Sequence, residues 1–393
     1  MTMALAGAVV FVATPAGCRA AHNVGIQMNG GKCAGTTTPS PVARLVTPFP
    51  SPVYIPPPPQ PTTFVPSPSQ PPPPSPSPLP PYEYSASPAI PPYATVTSSP
   101  VPLDFVLTCR LPISQGQSGS GGFVVFPGGT YVADPRSGVA LPSTAPSPAP
   151  NQYGGGFAGF GLSYDRFHDR WFPVPWQFAS PDGSRYVYPG VQGIYVVNPA
   201  DSTISELGEG KAWSILAVNT QGVYAAVQQL AGLWLLPFSG PAQQLSATGY
   251  WQAVGGGAAY GTGSSQTPQG ITNPIIRLDL KTGASVVWFA VDQGQNQVVG
   301  FDHAGSPLIT ASGPGGQYLW LAPAVGGATV VAVLYSQYQG YQNSVSFFYP
   351  PIADVHGMWF GSNQGNQGID IFTPGLAWYQ ASRFGGQLAG PCV

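Results

Sequence analysis

Charge is nearly missing from this chain of 393 residues: Asp, Glu, Lys and Arg make up 7% of it, and the formal net charge is −2. The 12 Lys and Arg are scattered with no basic run. That excludes the electrostatic footprint of a nucleic-acid binder, so no nucleic-acid partner is expected. Good helix formers are equally scarce, with three Glu and three Lys, whereas Val, Tyr, Phe, Trp, Thr and Gly are plentiful. That balance reads as an all-β chain. With four Cys and four His there is no HExxH, CxxC, GxxxxGK or GxSxG and no EF-hand spacing. No metal or other cofactor is therefore expected. The Gly-rich VGGGAAYG (254–261) follows a strand pattern, but no helix pattern follows it, which argues against a nucleotide loop.

Long apolar runs are missing too. The one candidate, ALAGAVVFVATPAG (4–17), has 14 residues, too few to span a bilayer but suited to the apolar part of an export signal. MTM ahead of it carries no Lys or Arg, which raises the question of a start further upstream. The run ends in Pro15-Ala16-Gly17-Cys18, which resembles a bacterial lipoprotein box with Pro in place of the usual aliphatic residue. The resemblance implies a lipid on Cys18; otherwise Cys18 pairs with Cys33, and both stay open. Either way the expected location is extracytoplasmic, secreted or at the cell surface, with membrane contact only through a lipid anchor.

What the chain does have is Gly (51) and Pro (49). The prolines crowd into residues 36–102, in stretches such as IPPPPQP and VPSPSQPPPPSPSPLPPY. No hydrophobic period survives there, and Pro removes ladder donors and blocks helices. The reading is a disordered Pro-rich stalk of polyproline-II character, able to reach roughly 200 Å at ~3.1 Å per residue. The domain plan is then a signal at 1–21, a linker at 22–102 and one globular domain at 103–393.

Within that domain a Gly recurs after an apolar strand and a polar turn: VVFPGG at Gly129, FASPDG at Gly183, LAVNTQG at Gly222, AVGGG at Gly257, VGFDHAG at Gly305 and IADVHG at Gly357. A second hairpin follows each, as in GIYVVNP (193–199) and GLWLLPF (232–238). Four strands per unit, six times, predict a six-bladed β-propeller, or seven blades if residues 103–117 and 384–393 add more than a closure. The segment SPDGSRYVYPGVQGIYVVNP (180–199) resembles the repeat of TolB-type, WD-repeat-like propellers. Ser180, Pro181, Asp182 and Gly183 match that pattern, and Asn198 stands where Asp is usual. The resemblance implies the fold and supplies no catalytic residue. In a closed ring the chain ends meet, so Cys109 and Cys392 are expected to form a disulfide clasp.

Three constellations are candidates for chemistry. YDRFHDRW (164–171) is the most charged octapeptide; alignment places it as a peripheral turn between third and fourth strands. A metal held by Asp165, His168 and Asp169 is the less favoured reading. Asp302, His303, Asp354 and His356 fall in equivalent turns after channel-lining strands, where His and a carboxylate within reach would serve a hydrolase or lyase. Trp176, Trp213 and Trp251 precede the first strands of consecutive blades, an aromatic arc that, with Gln252, suits stacking on a ligand. The expected function is a surface-displayed binding or scaffold module for a glycan, peptide or protein partner, acting as a monomer. The alternative is an extracytoplasmic enzyme working on a small molecule or glycan at the central channel.

Overall fold

The computed structural model describes residues 99–393 except 103–104, 116–119, 150–160, 229, 264, 268–269, 292–295, 314–315, 337–349, 362–367, 374 and 376. The export signal, Cys18, Cys33 and most of the Pro-rich linker lie outside the described residues. Among the described residues the helical elements are two short 3₁₀ turns, Pro135–Ser137 and Trp176–Phe178, and no helix is long and apolar enough to cross a membrane.

The strands fall into six sheets of three to five members and two two-stranded hairpins, one of them Ser265–Thr267 with Gly270–Thr272. Blade 1 pairs Gln387–Leu388 with Arg110–Ser114, Gly121–Val125 and Thr130–Asp134. Blade 2 holds Tyr186–Pro189, Ile194–Asn198 and Thr203–Leu207, with a single bridge from Ala179 to Tyr186 where a first strand would stand. Blade 3 runs from Trp213–Val218 through Gly222–Val227 and Leu233–Pro237 to Gln243–Ser246. Blade 4 has Tyr250–Gly255, Ala258–Thr262, Ile275–Asp279 and Ser285–Phe289. Blade 5 has Asn296–Phe301, Pro307–Gly313, Gly316–Leu321 and Thr329–Ser336. Blade 6 has Ile352–Asp354, Gly357–Phe360, Ile369–Phe372 and Trp378–Ser382, with Ser99–Pro100 added outside in parallel. The last residues assigned to the linker are thus already part of the propeller.

Four of the six Gly-centred hairpins join the first strand of a blade to the second, and that at Gly183 joins the bridged Ala179 to the first full strand of blade 2. Gly129 does not: its turn joins the third and fourth strands of blade 1, because the first strand comes from the far end of the chain. The segments read as strands three and four of that blade, Ser163–Asp165 and Arg170–Phe172, instead form a two-stranded hairpin of their own.

A blade has two faces and cannot bury either alone. Apolar clusters therefore lie between successive sheets. Val187 and Ile194 of blade 2 meet Trp213 and Val223 of blade 3. Leu233 meets Trp251 and Ala259 across blades 3 and 4, and Tyr260 meets Val298 and Trp320 across blades 4 and 5. Leu308 and Leu319 face Phe360 and Trp378 of blade 6. Ile113 and Val124 of blade 1 face Trp359 and Ile371 of blade 6, which closes the circuit. Between blades 1 and 2 the extra hairpin acts as a wedge: Tyr164 and Trp171 pack on Phe123 of blade 1, and Phe172 packs on Tyr186 and Tyr188 of blade 2. The ring has six blades, and two strands fill what would be the seventh position.

Cys109 and Cys392 are bonded, with Cα atoms 5.6 Å apart and 283 positions between them in sequence. Closing so long a loop stabilises the fold by up to about 5 kcal/mol in the chain-entropy model. Thermal melts with and without reductant measure this. The wild-type chain should melt lower when reduced, and Cys109→Ser/Cys392→Ser should melt at that lower temperature in both conditions. Identical melting of all samples would show that the clasp adds nothing to an already closed ring.

Candidate functional site

The charged octapeptide builds the wedge hairpin. Tyr164 pairs with Trp171 and Asp165 with Arg170 across it. The chain reverses over residues 166–169, where Asp165 Oδ1 accepts from the Phe167 amide at 3.0 Å, an Asx turn. Asp169 takes the left-handed conformation at φ 50°, which Asp tolerates better than most residues. Asp165 is buried, and its Oδ2 lies 2.7 Å from His168 Nδ1 and 3.3 Å from Arg170 Nε. Arg170 also donates to the Gly183 carbonyl at 2.8 Å. Gly183, in the Ser-Pro-Asp-Gly turn, has φ +66°, and a Cβ there would lie 2.2 Å from Asp165 Oδ2. The carboxylate of the hairpin thus requires glycine in the turn of blade 2.

On the other side the hairpin is tied to blade 1. Arg136 bridges Asp134 (Nη2–Oδ2 2.9 Å) and Asp169 (Nη1–Oδ2 2.7 Å). Trp171 Nε1 donates to Asp134 Oδ2 at 3.0 Å, and the Tyr164 hydroxyl donates to Asp169 Oδ1. Hydrogen bonds from Arg136 hold Asp134 at a pKa of about 2; those from Arg136 and then Tyr164 bring Asp169 to about 2 as well. Burial, followed by the neighbouring Asp169, pushes Tyr164 up to about 12 and keeps it a neutral donor.

Where the hairpin meets the 3₁₀ turn Trp176–Phe178 there is a pocket of about 140 Å³. Tyr164, Phe172 and Trp176 supply rings; Ala179, Pro181 and Pro391 close it with aliphatic surface. Asp165 and Ser180 bring buried polar atoms, and the exposed Arg166 and Phe167 complete the lining. The guanidinium of Arg166 lies 4.9 Å from the Phe167 ring centre. Ser180 Oγ is committed to Asp182 Oδ1 at 2.6 Å and to the Arg185 amide at 3.0 Å. Among the described residues no acceptor meets the Trp176 indole N–H.

The residues singled out in the sequence are dispersed by the fold. Trp213 and Trp251 are 2% and 8% exposed, with their indole N–H groups on the carbonyls of Gly208 and Thr248; they are packed between blades and offer no face for stacking. Trp176 alone of the arc is half-buried and lines the pocket. Gln252 is the bulged residue of its strand, and its Oε1 accepts from the Val298 amide of blade 5 at 2.9 Å. Asp302 caps its turn through the Ser306 amide, and His303 is exposed. Asp354 is buried, accepting from the His356 and Cys392 amides and from Trp359 Nε1; the His356 ring stands 3.3 Å from it. Asp165 and His168 meet, but Asp169 turns to Arg136 and Tyr164, so those three do not converge on a metal position. The octapeptide is a turn, as its composition suggested, yet it is neither between third and fourth strands nor idle. Sequence reasoning missed Phe172, Pro391 and the Asp134–Arg136 pair; the crowding of charge in one octapeptide was the signal that pointed here.

Neither a protein-family model nor a curated protein matches the sequence. Among solved structures the chain is similar to TolB from Acinetobacter baumannii, at 12% identity and a TM-score of 0.38, over 71% of this chain and 65% of that one. It is similar to a protein assigned as TolB from Agrobacterium tumefaciens at 12% identity and 0.38, over 72% and 93%. It is also similar to dihydro-heme d1 dehydrogenase NirN at 12% and 0.36, over 73% and 66%. The chain spans just under two thirds of the first TolB's length. The propeller fold rests on the strand order and the circuit of cores; these similarities say nothing about ligand or activity.

Asp134 and Asp169 have folded pKa values below those of an unfolded chain. Their stabilisation is complete above the ordinary carboxylate range and is lost as pH falls from about 4 through about 2. Melting temperature followed from pH 6 to pH 2 should drop more steeply for the wild type than for Arg136→Ala, whose two carboxylates return toward ordinary values. Parallel acid profiles would show that the bridge does not stabilise the wedge.

Proposed function

We propose that this chain is an extracytoplasmic β-propeller that binds a partner, carried by a Pro-rich linker (22–102) behind an export signal (1–21), with or without a lipid on Cys18. The observation that carries the reading is the pocket beside Trp176. Of its rings, Trp176 is half-buried and Phe167 exposed, while Tyr164 and Phe172 are almost wholly buried; at about 140 Å³ it is smaller than the roughly 300–1,000 Å³ of a site for a drug-sized molecule. That is room for one ring or side chain of a glycan, peptide or protein partner.

The polar groups support binding over turnover. Asp165 accepts from three donors, and Ser180 Oγ is occupied by its own turn. What the pocket offers a partner is the half-buried Trp176 ring and the exposed Arg166 guanidinium stacked on Phe167, which suit anchoring. The alternative of a hydrolase or lyase using His303 and His356 gains nothing from turns in which Asp302 and Asp354 already serve backbone amides.

The test is a glycan and peptide binding screen on the full chain, repeated with Trp176→Ala and Trp213→Ala. Trp176→Ala should stay folded and weaken binding by about thirtyfold, the scale of an aromatic hot spot. Trp213→Ala should instead lose about 3–5 kcal/mol of stability, as a buried Trp does. Ligands whose affinity is indifferent to Trp176 would remove the pocket from the function.

A further inference from the structure

Resting on that reading, we infer that the pocket takes the carboxyl end of a peptide whose last residue is apolar, with the side chain in the socket and the α-carboxylate on Arg166. First, the charges of the site leave one cation over. Of the ten lining residues only Asp165 and Arg166 are charged. Asp165 is buried and already answered: its oxygens accept from the Phe167 amide and from Arg170, and His168 Nδ1 lies 2.7 Å from one of them. Close by, Asp169 is paired with Arg136, and Asp182 spends its Oδ1 on Ser180 and Ser184. Arg166 is exposed, stacks on the Phe167 ring and has no carboxylate partner among the described residues. A guanidinium takes a carboxylate through two parallel N–H groups, so an anion is the complement this lip lacks.

Second, the socket itself suits an apolar group. Ala179, Pro181, Pro391 and the half-buried Trp176 ring give it hydrocarbon surface, and about 140 Å³ is room for one aliphatic side chain. The two buried polar side chains at its base, Asp165 and Ser180, are committed within the chain. A sugar acid seated there would take its ring hydroxyls out of water against groups that cannot answer them, which costs free energy. An aliphatic side chain brings no such groups.

Third, a terminal residue carries both features on one Cα. Filling the socket then delivers the anion to its lip. An internal Asp or Glu carries its anion on a different residue from the one in the socket, and holding both in place orders more of the peptide at further cost. Capture of a chain-terminal carboxylate is a recurrent mode of peptide recognition.

Fluorescence anisotropy with the full chain and dye-labelled hexapeptides tests this. SGSGSL with a free carboxylate should bind about tenfold or more tighter than its carboxamide, the scale of one charge-assisted pair, and also tighter than SGSGSS. Arg166→Gln should bind the acid and the amide alike, and Trp176→Ala should weaken the acid. Unchanged melting temperatures establish that both variants are folded. Equal binding of acid and amide overturns the inference, as does an acid preference that survives Arg166→Gln, or no binding up to millimolar peptide. Competition by glucuronate but not by N-acetylleucine overturns it in favour of a sugar acid. Should other ligands bind through Trp176 with no preference for a free carboxylate, this inference alone falls and the binding pocket stands; if no ligand depends on Trp176, both fall.

Discussion

The ring depends on where residues 387–393 lie. Gln387 and Leu388 form the innermost strand of blade 1. The Ala389 amide donates to Pro112, and its carbonyl accepts from Tyr164 of the wedge. Arg110 and Val393 exchange two backbone hydrogen bonds. The Cys392 amide reaches Asp354 of blade 6, and its sulfur reaches Cys109. Seven residues thus join blade 6, blade 1 and the wedge. A propeller has no single core: each inter-blade cluster is modest, and each persists only while the neighbours are held face to face. A gap at one joint would expose two apolar sheet faces, here those of Trp359 and Ile113. Closure is therefore the condition on which the other contacts rest.

The wedge is the local answer to a geometric mismatch. Six blades leave a space between the first and second, and blade 2 lacks a full innermost strand, with only Ala179 bridged to Tyr186. Two short strands fill the space with Tyr164, Trp171 and Phe172. Because so narrow an element buries little, ionic and hydrogen-bonded ties to both neighbours supplement it: Arg170 to the Gly183 carbonyl, and Asp169 to Arg136 and Trp171 to Asp134. The same incompleteness creates the pocket. Where a full blade would pack flush, the hairpin and the 3₁₀ turn leave a cleft lined by their own aromatic rings.

The fold was largely legible because its signals are local. A Gly after an apolar strand marks the first turn of five blades, and the Ser-Pro-Asp-Gly of blade 2 is its clearest example. The first blade was read out of phase for a reason no local pattern carries: its inner strand comes from residues 387–388. The aromatic arc misled for a similar reason. Alternation says that Trp213 and Trp251 share a position, but not whether that position faces solvent or the next blade. The site was visible as a concentration of charge, whereas its partners, Arg136 on one side and Gly183 and Pro391 on the other, are brought together only by the closed ring.

The bond between Cys109 and Cys392 also changes how the domain bears tension. A pull applied to the chain ahead of Cys109 and behind Cys392 does not pass through the blades, because the covalent link carries it directly from one sulfur to the other. Only the outer strand Ser99–Pro100 and the short stretch up to Cys109 lie in the loaded path. The strand is held in parallel register against Tyr379 and Gln380, so it would be loaded along its length and must shear before it releases. Blade 6 takes up that shear through Trp378–Ser382, while the other blades and the pocket are mechanically bypassed and keep their shape.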